Sequence, residues 1–279
     1  MLSPVAVAPD TQAQRPTVTL VLLAMCALTY GWILSGQGAS RAPVQAAVER
    51  LEATIRANPE ARLSPQELEG LPDQWRLELS SVIDEGAAAV PEMSEAVASL
   101  RDHVHALPTW RLGWIPSMKS GHGWFTYMWV HDQWFHLVVN LTLLWFLGAT
   151  LEVRGGPRVT AVAFVLSGVA GAWMHAAVYG ASTVPLLGAS ASVLGLLGGL
   201  LTLQPTRTLP FALSPGPGSP RGSVRLEIPL AAIVCLWVGL EALLVAERGS
   251  APLALPAHLA GLVAGGAVGW SARRRKRRP

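Results

Sequence analysis

The chain has 279 residues, 51% hydrophobic and only 14% charged, with a formal net charge of +3 at pH 7. Long stretches carry no charge at all, which excludes a water-soluble globular domain and defines a polytopic protein seated in a lipid bilayer. The two cysteines, Cys26 and Cys235, fall inside apolar runs, read as small buried hydrophobes and leave the redox compartment open.

Residues 1–17 form a short N-terminal tail, and Val18–Leu34 is the first apolar span. Arg15, the apolar run and "SGQGAS" also fit a signal peptide with its cleavage site, but the run is long and its basic region weak, so a retained span is the expectation. Residues 35–109 are too polar for the bilayer and read as a net acidic, helical insert on the outer side. Val44, Val48, Leu51 and Ile55 recur at helical spacing. Ser64, Pro65 and Glu67 give a capping box before a second helix, and "PEMSEAVASLRDHVHAL" supplies a third. His103 and His105, two apart, face different directions and make a poor metal pair. A packed spacer is preferred to a dedicated binding module for this insert.

Residues 110–270 form the core. It opens on Trp110–Trp134, where five of the eleven tryptophans crowd together with Tyr127, as expected of a segment lying in the outer interface. Five further spans follow: Trp134–Leu151, Val159–Tyr179, Leu187–Leu203, Ile228–Ala246 and Leu255–Trp270. The fold class is thus an all-α bundle of six transmembrane helices with an extramembrane insert between the first two. Residues 271–279 are a basic tail. Arg154 and Arg158, then Arg207, Arg221 and Arg225, and then Arg273–Arg278 all fall on one side, which assigns that side and both termini to the cytoplasm. The tail suits anionic lipid rather than nucleic acid.

The polar residues within the spans fall at one depth. His136 and Asn140 share a face one turn apart near the outer end of span two; Ser190 opens span four; His258 opens span six just after Pro256. Such side chains are costly in hydrocarbon and are functional candidates. Gly195 and Gly199 in span four, and Gly261, Gly265 and Gly269 in span six, are spaced to let two backbones approach closely. Packing through these faces brings Ser190 to His258. A serine beside a histidine is an activated nucleophile, and the helix N-terminus at Ser190, with His136 and Asn140, offers donors for the oxyanion its attack creates. The reaction class is acyl transfer to water. His175 and Glu241, also near outer span ends, keep a proton-relay or transporter reading open, although no inverted repeat or pair of broken helices is apparent.

From "RLGWIPSMKSGHGWFTYMWVHDQWFHLVVNLTLLWFLGATLEVRGG" through "GASASVLGLLGG" to "AHLAGLVAGG", the chain resembles the rhomboid intramembrane serine proteases. The resemblance implies a dyad of Ser190 as nucleophile and His258 as general base, with His136 and Asn140 binding the oxyanion. It also implies that Gly188, His131 and Gly261 shape the site, and that His131, Trp110 and Arg111 belong to a structured, half-embedded loop. Glu152 and Arg154 are expected to fix the turn after span two. Implied substrates are single-pass membrane proteins cut near the outer end of a helix; no metal or organic cofactor is implied. Two residues depart from the family pattern. Ala191 replaces the usual glycine after the serine, and Leu194 replaces an aromatic that packs on the catalytic histidine. A catalytically silent rhomboid-like protein that binds membrane helices is therefore the alternative. Composition leans toward a bacterial inner membrane.

Overall fold

A computed structural model describes residues 15–69, 78–84, 90–118, 121–204, 208–213, 224–229 and 254–277, together with 2–4 and positions 71, 75, 232, 233 and 237. The longest helix, α1 (Thr17–Ala57), runs on without a break past Leu34, where the first span was expected to end, and absorbs Pro43 internally. Leaving the hydrocarbon does not end a helix, because its hydrogen bonds are internal in either solvent. The first helix of the insert is therefore the outward extension of the first span.

The insert closes its own small core. Leu51, Leu63, Leu68, Met93, Val97 and Leu100 are all buried there, with α2 (Pro91–His105) packed against α1. The expected capping contact forms at its centre, where Ser64 N–H donates to Glu67 Oε2 at 2.7 Å, but Pro65–Glu69 continues as successive turns rather than as a regular helix. Although partial burial pushes the Glu67 carboxyl up, hydrogen bonds from Ser94 and from the hydroxyl and amide of Ser64 hold it below its ordinary value. Trp110 and Ile115, from the tryptophan-rich segment, belong to the same buried cluster and tie insert to core.

Four longer helices follow in the described core: α3 (Trp134–Gly155), which carries a π-helical turn over Leu144–Gly148; α4 (Pro157–Val178); α5 (Ser190–Leu203); and α6 (Leu255–Lys276). Among the described residues three helices are long and apolar enough to cross a membrane: Thr17–Gly36, Trp134–Gly155 and Pro157–Val178. Their exposed faces are large and apolar (Leu28, Trp32, Val138, Leu166, Trp173), as a lipid-facing surface requires. The chain is an integral membrane protein with a helical architecture.

Helix α5 differs from the rest. It is apolar all round and buried from Ser190 to Leu200, the mark of a central helix. With 14 residues it is about 21 Å long at 1.5 Å per residue, against about 30 Å of hydrocarbon. It begins at Ser190, three residues later than expected, because Leu187–Ala189 still belong to the loop above it. Helix α6 crosses it at backbone contact. A Cβ on Gly261, Gly265 or Gly269 would run into the carbonyls of Ala191, Gly195 and Gly199 respectively. A further expected boundary shifts: Ile228 lies in a strand rather than starting span five. Leu2–Pro4 (β1), Thr208–Leu213 (β2) and Val224–Pro229 (β3) form a small antiparallel sheet in the order β1-β2-β3. The alternation of Val224, Arg225, Leu226, Glu227 and Ile228 has the period of a strand. Most of span five, including Cys235 and Glu241, lies outside the described residues.

Candidate active site

The site is assembled where α5 and α6 begin. Helix α5 starts at the end of a loop pinned from several sides. Trp114 and Leu186 exchange backbone hydrogen bonds at 3.1 and 2.8 Å, and Ser117 N–H donates to Ser182 O at 3.2 Å. Trp114 Nε1 donates to Ala172 O of α4 at 3.0 Å. The Gly188 amide donates to Tyr127 O at 3.0 Å. Gly188 then turns the chain with φ +103, a conformation that favours glycine, and the His136 ring occupies the space where a side chain would stand, 2.6 Å from the position of a Cβ. Ala189 N–H points to His131 Nε2 at 3.4 Å. Non-helical backbone is thus buried in protein, as membrane depth demands.

Ser190 is the first residue of α5 and is 7% exposed; His258 lies in the first turn of α6 and is 4% exposed. His258 Nε2 and Ser190 Oγ are 2.7 Å apart, a hydrogen bond between side chains 68 positions apart in the chain. The first bond of α5 to a residue four back runs from Val193 N to Ala189 O at 2.9 Å, so the amides of Ser190, Ala191 and Ser192 precede its ladder and face the positive end of the helix dipole. Ser192 turns away, its Oγ 3.9 Å from Met128 Sδ.

His136 sits above this turn on α3. Its Nδ1 is 3.4 Å from Asp132 Oδ1, and its ring is set edge-on to that of His131, centroids 5.0 Å apart. Asn140 is buried and donates through Nδ2 to the His136 carbonyl at 2.9 Å, which leaves its second N–H for another acceptor. The structure therefore brings Ser190, His258, Gly188, His136 and His131 together, and seats Gly261 against the Ala191 carbonyl just below. His131 lies in the loop before α3. Burial, and next the neighbouring His136, pull its imidazole from 6.5 down to about 3, so it is neutral at physiological pH.

Two features of the site had no signal in the sequence. The Ala191 methyl faces Gly171 of α4, where an added Cβ would lie only 2.7 Å from it. A glycine on α4 thus makes room for the methyl on α5. The ring of Trp237 stands edge-on to His258, centroids 5.0 Å apart and planes at 89°. At the opposite end of the bundle, the Glu152 carbonyl accepts from Gly156 N–H at 2.8 Å in its own turn, while its carboxylate reaches another helix. The carboxylate accepts from Val18 N–H, Thr19 N–H, Thr17 Oγ1 and Thr19 Oγ1 at 2.8–3.3 Å, capping α1 from another helix. The Arg154 carbonyl accepts from Lys276 Nζ at 2.7 Å.

A membrane-embedded helical bundle with a buried serine–histidine pair at the head of a short central helix is the class these features define. Residues 119–275, over half of the chain, match the rhomboid domain family. The chain belongs to the rhomboid family. It is similar to inactive RHOMBOID-like protein 8 of Arabidopsis thaliana, 33% identical over 93 residues; the match spans 33% of this chain and 26% of that relative.

Proposed function

We propose that the protein is an intramembrane serine endopeptidase that hydrolyses a peptide bond in or near the outer end of a substrate's transmembrane helix. The observation that carries this reading is the 2.7 Å contact between His258 Nε2 and Ser190 Oγ. Ser190 Oγ attacks the scissile carbonyl carbon while its proton passes to His258 Nε2, and the carbonyl π electrons move onto oxygen. The oxyanion is met by first-turn amides of α5, with His136 and Asn140 as side-chain donors. Collapse breaks the C–N bond, the leaving amine takes the proton from His258, and an acyl-serine remains. A water, deprotonated by the same imidazole, repeats the sequence and frees the carboxylate and Ser190. The roles of Gly188, His131 and Gly261 are to shape the turn and the helix crossing.

Substrates in this reading are single-pass membrane proteins that enter from the bilayer. The core comprises residues 110–270 with spans two to six, the first span is residues 18–34, the insert lies outside, and both termini are cytoplasmic in a bacterial inner membrane. Pairing of β1 with β2, and the Lys276–Arg154 bond, support a shared side for the N-terminus, the segment after α5 and the end of α6. A second reading rests on the named relative, which is called inactive: this chain would then hold transmembrane helices without cutting them.

Labelling of the detergent-purified full chain with a fluorescent fluorophosphonate separates the two. The protease reading expects labelling that is lost in Ser190→Ala and His258→Ala and kept in Ser192→Ala. A folded wild type that stays unlabelled beside an active control protease refutes it.

A further inference from the structure

We propose that Trp237 is a positioning residue that holds the His258 imidazole on Ser190, an inference that rests on the hydrolytic reading above. His258 stands in the first turn of α6, which has no side-chain cap, and its Nε2 is hydrogen-bonded to Ser190 Oγ. That bond cannot last through the reaction. Once Ser190 Oγ is joined to the acyl carbon it no longer donates to Nε2, yet the imidazole must then deliver a proton to the leaving amine and take one from water. Something other than the nucleophile has to keep the ring in place.

Helix α5 offers no ring for this. Leu194, one turn below Ser190 on the same face, is aliphatic. Trp237 supplies one from a different part of the chain. It is 9% exposed, its ring plane is 89° from that of the imidazole, and the centroids are 5.0 Å apart, within the range of a favourable edge-to-face pair. The indole Nε1 has no hydrogen-bond partner among the described residues. A buried ring packed edge-to-face at this distance is expected to restrict turning of the imidazole about its Cβ–Cγ bond.

The test uses the full chain in detergent with Trp237→Ala and Trp237→Phe, and two readouts. The first is the rate of fluorophosphonate labelling. The second is the rate at which diethyl pyrocarbonate acylates each histidine, followed by mass spectrometry, which needs no catalysis. Trp237→Ala is expected to slow labelling by about three- to tenfold and to speed acylation of His258, while Trp237→Phe stays within about twofold of wild type on both. Acylation of His131 and His175 should not change. If Trp237→Ala leaves both rates at the wild-type value, or if all three histidines become reactive together, the positioning role is overturned. A wild type that shows the expected acylation pattern but no labelling supports the ring contact and refutes the hydrolytic reading instead.

Discussion

The departure at Ala191 can be tested by asking whether Gly171 exists to accommodate it. An added Cβ at Gly171 would lie 2.7 Å from the Ala191 methyl and 3.1 Å from both the Ala257 carbonyl and the Tyr127 hydroxyl. Carbon atoms rest at about 3.5–4.0 Å, so α4 must retreat from α5 by roughly 1 Å at this level. Overpacking of this kind costs about 1–3 kcal/mol. It acts next to both members of the pair, since Ala191 follows Ser190 and Ala257 precedes His258. Gly171→Ala should therefore lower stability by that amount and slow fluorophosphonate labelling more than stability alone explains. Ala191→Gly by itself should cost about 1–2 kcal/mol, from lost burial and helix propensity. Combined, the two substitutions should recover about 1–2 kcal/mol relative to their sum, because the closest clash is gone. The measurement is a double-mutant cycle on unfolding in mixed detergent micelles, with labelling rates alongside. Additive losses, or a Gly171→Ala protein as stable as wild type, refute the account of how the methyl is housed.

Gly188→Ala places a side chain both at φ +103 and against the His136 ring, so labelling should fall by more than about a hundredfold while the rest of the bundle still folds, as followed by thermal unfolding. Glu152→Ala leaves two amides and two hydroxyls of α1 without their acceptor and should cost about 2–4 kcal/mol in micellar unfolding; the labelling rate of the folded fraction should not change. His131 is neutral in the folded protein down to about pH 3, whereas in the unfolded chain it takes a proton below about pH 6.5. Its contribution is thus full above pH 6.5 and is lost progressively as pH falls toward 3. Unfolding curves at pH 7, 5.5 and 4 should show this loss, and His131→Asn should flatten it by about one proton.

The parts of the site that were legible share one property: each is encoded by spacing within a single element. His136 and Asn140 are one turn apart, and the glycines of α5 and α6 recur every fourth residue, so helix geometry alone aligned them. Packing through those glycine faces then linked Ser190 to His258 across 68 positions, the family resemblance added Gly188 and His131, and the structure places Ser190 and His258 in contact. The Gly171–Ala191 fit and the Trp237–His258 contact join elements with no periodic relation between them, and nothing local marks them. Glu152 drew notice as part of its own turn, where its carbonyl does accept from Gly156 N–H, but nothing local marks that its carboxylate serves the start of α1. The outward run of α1 was hidden for a different reason. A change from apolar to polar side chains marks where a helix leaves lipid, and the helix itself continues wherever its backbone bonds can.

That continuity bears on the insert. Its core is not a separate body hung on a flexible link, because it shares α1 with the bundle at one end and Trp110 and Ile115 with the tryptophan-rich loop at the other. From Ile115 the path to the nucleophile is short. Trp114 is bonded to Leu186, Thr183 donates to the Leu71 carbonyl at 3.5 Å, and Gly188 follows two residues after Leu186. The loop above Ser190 is thus held between the insert and α4, and loosening the insert is expected to loosen the turn at Gly188. A spacer that merely filled volume would be dispensable for labelling. Leu100→Ala, which opens a cavity in the insert's core at a cost of about 2–5 kcal/mol, provides the contrast. If the loop is set from above, labelling should slow in step with local exposure of the insert to limited proteolysis, while micellar unfolding of the bundle stays unchanged. Labelling at the wild-type rate after the insert has become protease-sensitive would show that α3 and α4 suffice to hold the turn.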